Sequence, residues 1–325
     1  MITIEDEQLN SISILSSMLE DADVGGAHGR NAFARTHILE KPVRKAYLLI
    51  SATLSTPFNR LNKWKISLNG VAITREYNPH IERSFMGKIH SVFVYDVTKT
   101  IKAPEVELLI VYDGKDPIRI DNAMLITIHE YPEIHTRVEG YVDLKPLTPE
   151  GLEFHYRSAE RFTPNESKLY IGLSALRSST VDIVEGNDNH ILNRRLNPGF
   201  TLLEIEESRA DAENIKLSSD SYHVKYVYSI RCLTKAVYPT IEVENLSVSD
   251  DSIHVRVLNK GPTAADRVLV IALRFGMPLA RASIENFAAL EAKDIDLHIS
   301  KSKPTHLRIV WMKGGRTFIK DLKLC

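Results

Sequence analysis

From Val43 onward the chain is a succession of short runs rich in β-branched and aromatic residues, each closed by a turn signal, with no stretch between them that reads as a long helix. Val43 to Leu54, Lys63 to Leu68, Ile89 to Tyr95, Val106 to Tyr112 and Ala123 to Glu130 read as strands. Asn69-Gly70 is the strongest local turn signal, because both residues tolerate the positive φ of a tight hairpin. A parallel sheet needs crossover helices between its strands. This spacing therefore predicts an all-β chain of the sandwich or jelly-roll kind.

At 325 residues the chain has room for two or three cores. Pro146, Pro149 and Gly151 mark a first boundary, and the residues after it echo those before it. Ala46-Tyr47-Leu48-Leu49-Ile50-Ser51-Ala52 recurs as Leu169-Tyr170-Ile171-Gly172-Leu173-Ser174-Ala175, and each copy is followed by a strand and a turn, at Asn69-Gly70 and at Glu185-Gly186. Each then closes with a long β-rich run, Asn122 to Ile128 and Tyr222 to Leu233. Pro239 marks a second boundary. The expected organisation is a jelly-roll-like sandwich over residues 1–145, a smaller diverged copy over 146–238, and a third sandwich over 239–325. Two segments have helical spacing: Leu9, Ile12, Leu15 and Leu19 predict a short N-terminal helix, with an irregular first strand as the alternative, and Ala280, Ile284, Phe287 and Leu290 could line either a helix or strands.

Charge excludes some classes of function. Lys and Arg number 41 against 42 Asp and Glu, so no global attraction to nucleic acid or anionic lipid is expected. The acidic start, Glu5-Asp6-Glu7, is unlike a secretory signal, and no apolar run reaches the length of a membrane span. As it stands the sequence predicts a cytoplasmic protein, or an extracellular one if a leader has been removed. Cys232 and Cys325 are the only cysteines and predict no disulfide framework. Gln8 is the only glutamine, and scarcity of thermolabile residues is one mark of thermophile composition.

The last segment resembles the cell-adhesion-related immunoglobulin-like domain CARDB, through Ile253-His254-Val255-Arg256-Val257-Leu258-Asn259-Lys260-Gly261 followed by Ala264-Ala265. That resemblance implies strand, turn and strand for Pro278 to Ser300, although the family's glycine after the Leu-x-x run is missing where Leu290 leads into Glu291. The first sandwich is similar to an uncharacterised β-sandwich domain of archaeal surface proteins. Lys45-Ala46-Tyr47-Leu48, Trp64 to Gly70, Tyr95-Asp96-Val97-Thr98 and Asp121 to Leu125 carry that similarity. It implies architecture and no enzymatic activity.

Few residues suggest chemistry. Asp96, Asp121 and Asn122 sit where strands of a jelly roll would end, and their oxygens could coordinate calcium; a local Asx-turn or a strand cap accounts for them more simply. Asp182 to His190 has the look of a calcium loop without its spacing. Trp64 and Trp311, with Tyr47 and Tyr95, could stack on a sugar if they faced solvent, and otherwise belong to the core. Gly172-Leu173-Ser174-Ala175 lacks the second glycine of a nucleophile elbow. No catalytic residue, metal ligand or cofactor is expected. The function expected is non-catalytic: a structural or protein-interaction module whose loops and sheet edges meet a protein partner or a second copy. A carbohydrate-binding module, with or without calcium, is the alternative, and an unrecognised hydrolase comes third.

Overall fold

A computed structural model describes residues 1–156, 164–185, 189–206, 214–299 and 303–324. Gly186 of the second predicted turn and Cys325 lie outside them. Among the described residues there are 25 strands and two single 3-10 turns, and no helix is long and apolar enough to cross a membrane. The chain is an all-β tandem of sandwiches. It divides into two compact units, Met1–Lys235 and Ala236–Cys325.

The strands of the first unit begin with β1 (Ile2–Gln8), β2 (Ser11–Val24), β3 (Asn31–His37), β4 (Val43–Leu54), β5 (Trp64–Leu68) and β6 (Val71–Thr74). They continue as β7 (Ile81–Phe85), β8 (Lys88–Asp96), β9 (Glu105–Tyr112), β10 (Ile118–Glu130), β11 (Ile134–Pro146) and β12 (Leu152–His155). The unit closes with β13 (Glu166–Ala175), β14 (Ser179–Glu185), β15 (Asn189–Leu196), β16 (Gly199–Glu206), β17 (Asn214–Ser219) and β18 (Val224–Ala236). Sheets β2-β10-β4-β8-β7 and β3-β9-β5-β6 face each other, as do β1-β11-β18-β13-β16 and β12-β17-β14-β15.

Apart from the added edge strands β7 and β1, both pairs of sheets follow one rule. Eight successive strands divide into a sheet of order first-eighth-third-sixth and a sheet of order second-seventh-fourth-fifth. This interleaving is the two Greek keys of a jelly roll. The echoed segments occupy equivalent places: Ala46–Ala52 lies in β4 and Leu169–Ala175 in β13, the third strand of each set. The two first-eighth-third-sixth sheets pack on each other through a further core that includes Leu49, Met124, Ile126, Val138, Val227 and Ile230. Four sheets are thus stacked, and the inner two are covered on both faces. That is why β4, β10 and β18 are buried over long continuous stretches rather than at alternate residues. The boundary expected near Pro146 falls inside this unit, at the end of β11, whose sheet continues through β18, β13 and β16.

The N-terminal helix is a correction: Ile2–Gln8 and Ser11–Val24 are strands, separated at Asn10, which adopts φ 51. Asn69 and Gly70 take φ 49 and 75 in the β5–β6 hairpin, the doubly left-handed conformation expected of them.

The second unit holds β19 (Ile241–Val248), β20 (Ser252–Asn259), β21 (Ala265–Arg274), β22 (Met277–Phe287), β23 (Ala292–His298), β24 (His306–Lys313) and β25 (Arg316–Lys323). Sheet β19-β20-β23 faces β22-β21-β24-β25 around its own core, an immunoglobulin-like order. The ambiguous segment 278–292 is therefore strand, turn and the start of a strand. Leu290 itself takes φ 59 in the turn where a glycine is missing. Asn259 pins the neighbouring turn: its Nδ2 donates to the carbonyls of Thr263, Phe287 and Ala288, and its Oδ1 accepts from the Gly261 amide.

Candidate functional site

The two inner sheets of the first unit meet at an apolar seam that also holds buried polar side chains, and irregularities in the central strands place some of them. In β10 the pairing with β4 steps from Ile120↔Ala52 to Asn122↔Ser51, leaving Asp121 as the extra residue of a bulge. Ile120 and Ala123 both face the first jelly roll's own core, so Asp121 and Asn122 both turn toward the seam between the jelly rolls. In β18 the step from Gly172↔Tyr228 to Leu173↔Tyr226 does the same for Val227 and Tyr228. These bulges bring Asn122 and Tyr228 into the layer where Thr53 and Lys225 already lie by ordinary alternation.

Two buried clusters result. In the first, the Tyr228 hydroxyl donates to Asn122 Oδ1 at 2.9 Å, while Asn122 Nδ2 donates to Ser17 Oγ at 2.9 Å and to the Leu19 carbonyl at 3.1 Å. In the second, Thr53 of β4, His90 of β8 and Asp121 of β10 meet Lys225, which reaches across from β18. Thr53 Oγ1 lies 3.0 and 2.8 Å from the two Asp121 oxygens and 2.8 Å from His90 Nδ1. Lys225 Nζ lies 2.5 Å from the same His90 nitrogen and 3.4 Å from Asp121 Oδ2. All four residues are buried: His90 is 1% exposed, Lys225 2% and Asp121 3%.

The electrostatics follow from burial. Loss of solvent disfavours the imidazolium, the Lys225 amine adds repulsion, and together they outweigh Asp121 to push His90 down to about 4. Burial likewise pushes the Lys225 amine below the ordinary lysine range, with Asp121 pulling the other way. His90 is therefore neutral at pH 7, and its Nδ1 is an acceptor for the Lys225 amine. Further contacts tie the seam along its length: the Phe200 amide donates to Asp21 at 3.1 Å, Ser13 Oγ meets Thr136 Oγ1 at 2.9 Å, and Arg83 lies 3.6 Å from the buried Asp143.

The residues singled out in the sequence do not converge. Asp96 is at the far end of β4 from Asp121, opposite Tyr47, where its carboxylate accepts from the Thr98 amide as an Asx-turn and pairs with Lys45 Nζ at 2.7 Å. Desolvation raises its pKa, but the hydrogen bonds from Lys45 and Thr98 prevail and hold it at about 2. Trp64 is 2% exposed, enclosed by Phe58, Tyr77, Phe93 and Tyr112, so a sugar has no access to its ring. Asp121 and Asn122 lie within β10 rather than at a strand end. Among the described residues no group of three or more His, Cys, Asp or Glu is disposed to hold a metal ion. A cavity of about 520 Å³ lies at one end of the first jelly roll between Ile38–Val43 and 101–104, and none of these residues lines it.

Thr53, His90, Lys225 and Tyr228 were not foreseen as partners. The available signal was the pair of charges, Lys225 and Arg231, inside the run Val224 to Leu233: that run is too apolar for a strand with a solvent face, so its charges have to be buried and paired.

No family model matches the chain, and no curated protein matches it. Solved structures with a partial likeness include the β-glucuronidase of Ruminococcus gnavus in complex with D-glucuronic acid, at 12% identity and a TM-score of 0.22, and its apo structure, at 13% identity and a TM-score of 0.21. Each match covers 58% of this chain and 36% of the other, so the chain spans about a third of the length of those proteins.

Proposed function

We propose that the chain is a non-catalytic structural or protein-interaction protein whose β-sandwiches present loops and sheet edges to a protein partner, a second copy of itself included. The observation that supports this reading is how the polar side chains are used. Asp96, Asp121, Asn122, His90, His129 and Lys225 all end in hydrogen bonds to neighbours inside the fold, which is what rigidity and fixed register require. On this reading the partner meets an edge. The outer strand β25 has alternating exposure and carries Ile319, 59% exposed, between Arg316 and Lys320. An added strand would bond to the backbone along its outer edge, with the alternate side chains setting specificity. Sedimentation of the full chain over a wide concentration range tests this: reversible self-association weakened by Ile319→Lys is expected. A chain that stays monomeric throughout removes self-assembly.

A carbohydrate-binding module is the second reading, favoured by one group in the second unit. Trp311 and Phe318 stack at 5.6 Å with an interplanar angle of 13°, Tyr238 lies 5.1 Å from Phe318, and all three are half-buried. Titration with oligosaccharides followed by tryptophan fluorescence tests it. A saturable change lost in Trp311→Ala would support this reading, and no change with any glycan removes it.

A further inference from the structure

We propose that Lys225 and Asp121 are the reactants of a self-catalysed intramolecular cross-link, an amide bond between Lys225 Nζ and the Asp121 side-chain carbonyl carbon that joins the two jelly rolls across their seam. Three observations carry it. The amine and the carboxyl face each other from different sheets at 3.4 Å, both almost wholly out of solvent. A neutral imidazole nitrogen stands 2.5 Å from the amine, placed to receive its proton. A hydroxyl donor, Thr53, lies within hydrogen-bond reach of both carboxyl oxygens, placed to stabilise negative charge on whichever becomes the amide oxygen.

In water a carboxylate and an ammonium do not condense, because each is held in its charged, unreactive form. Burial works against that obstacle: ammonium and carboxylate together already hold the protons the reaction needs, and moving one from nitrogen to oxygen exchanges two ions for two neutral groups, an exchange that loss of solvent assists. Lys225 Nζ then attacks Cγ of Asp121, and the Nζ–Cγ bond forms. His90 Nδ1 takes one proton from the nitrogen and returns it to the departing hydroxyl. The C–OH bond breaks, and one water molecule leaves. Nothing is oxidised or reduced, and no co-reactant is consumed. The product amide is neutral, replacing two groups whose ions are costly to bury. The β10 bulge keeps Asp121 and Asn122 together on the seam face, opposite the strand that carries Lys225.

Mass spectrometry of the denatured full-length protein tests this. The expected mass is below the sequence mass by one water molecule, and a protease digest should contain a branched species joining the peptides that hold Asp121 and Lys225. Lys225→Met and Asp121→Ala should restore the full sequence mass for each variant. Asp121→Asn should lose ammonia instead of water, because the side-chain amide then supplies the leaving group. In His90→Gln, refolded from denaturant, the cross-link should form many times more slowly than in the unmodified chain. Unmodified protein that keeps the full sequence mass after folding and prolonged incubation overturns the proposal, whatever the variants do. A His90→Gln chain that cross-links as fast as the original overturns the role given to His90.

Discussion

His90 is an imidazole that the fold keeps neutral, and this makes stability depend on pH in a definite direction. Its folded pKa of about 4 lies below the ordinary 6.5, so between those values the unfolded chain binds a proton that the folded chain does not. Stability contributed by this group is complete above pH 6.5 and is lost as the pH falls toward 4, by at most about 3 kcal/mol for a shift of this size. Urea midpoints measured from pH 7 to pH 4 should fall, and His90→Gln should flatten the slope. Asp96 acts in a separate window: its folded pKa is depressed to about 2, so its contribution is present above the ordinary carboxylate pKa and disappears only below it. Half-exposed as Asp96 is, solvent screening keeps that effect small. Tyr228→Phe should cost about 1–3 kcal/mol in the same measurement, since it leaves the Asn122 oxygen buried without its donor. At this scale the sequence was partly legible. Asp96 and Thr98 form their turn from residues two apart, whereas Asp121 and Lys225 are brought together by packing between residues 104 apart, which no local pattern encodes.

Strands β2, β10 and β18 all carry irregularities in their pairing, and these decide what periodicity can and cannot tell. In β2 the pairing with β10 slips between Ala123↔Leu19 and Met124↔Ser17, so Leu15 packs into the seam while Leu19 packs into the first jelly roll's core. Two period-two patterns out of phase gave apolar residues at spacings of three and four, the signature of a helix where there is none. Strands without such a slip, β9 among them, alternate cleanly and were readable from composition and flanking turns alone. The β18 bulge also explains a glycine in the echoed segment. A Cβ on Gly172 would lie 2.6 to 2.9 Å from the Tyr228 ring, which covers that position. Gly172→Ala should therefore cost about 1–3 kcal/mol through overpacking. The double variant with Tyr228→Leu should recover part of that loss in thermal melting, because the ring responsible is gone.

For the whole molecule, the division into Met1–Lys235 and Ala236–Cys325 predicts unequal behaviour of fragments. Residues 236–325 have a core of their own and should melt cooperatively when expressed alone. Residues 1–145 should not, because Leu49, Met124, Ile126 and Ile128 would lose the sheet that covers them; light scattering should show that fragment aggregating. Turn signals and the echo between β4 and β13 revealed the tandem. The back-to-back packing was written only in the missing alternation of the central strands, a signal that a deeply buried strand of any fold would give. The placing of β1 has a consequence for biosynthesis. Ile2 pairs with Val142 and Gln8 with Thr136, so β1 leaves the ribosome well before its mate β11, which follows only after the whole first jelly roll has been translated. Until then its backbone donors and acceptors are open to any passing strand. The nascent chain thus carries an adhesive strand while the first jelly roll is translated, and a chaperone or rapid elongation would matter most during that interval.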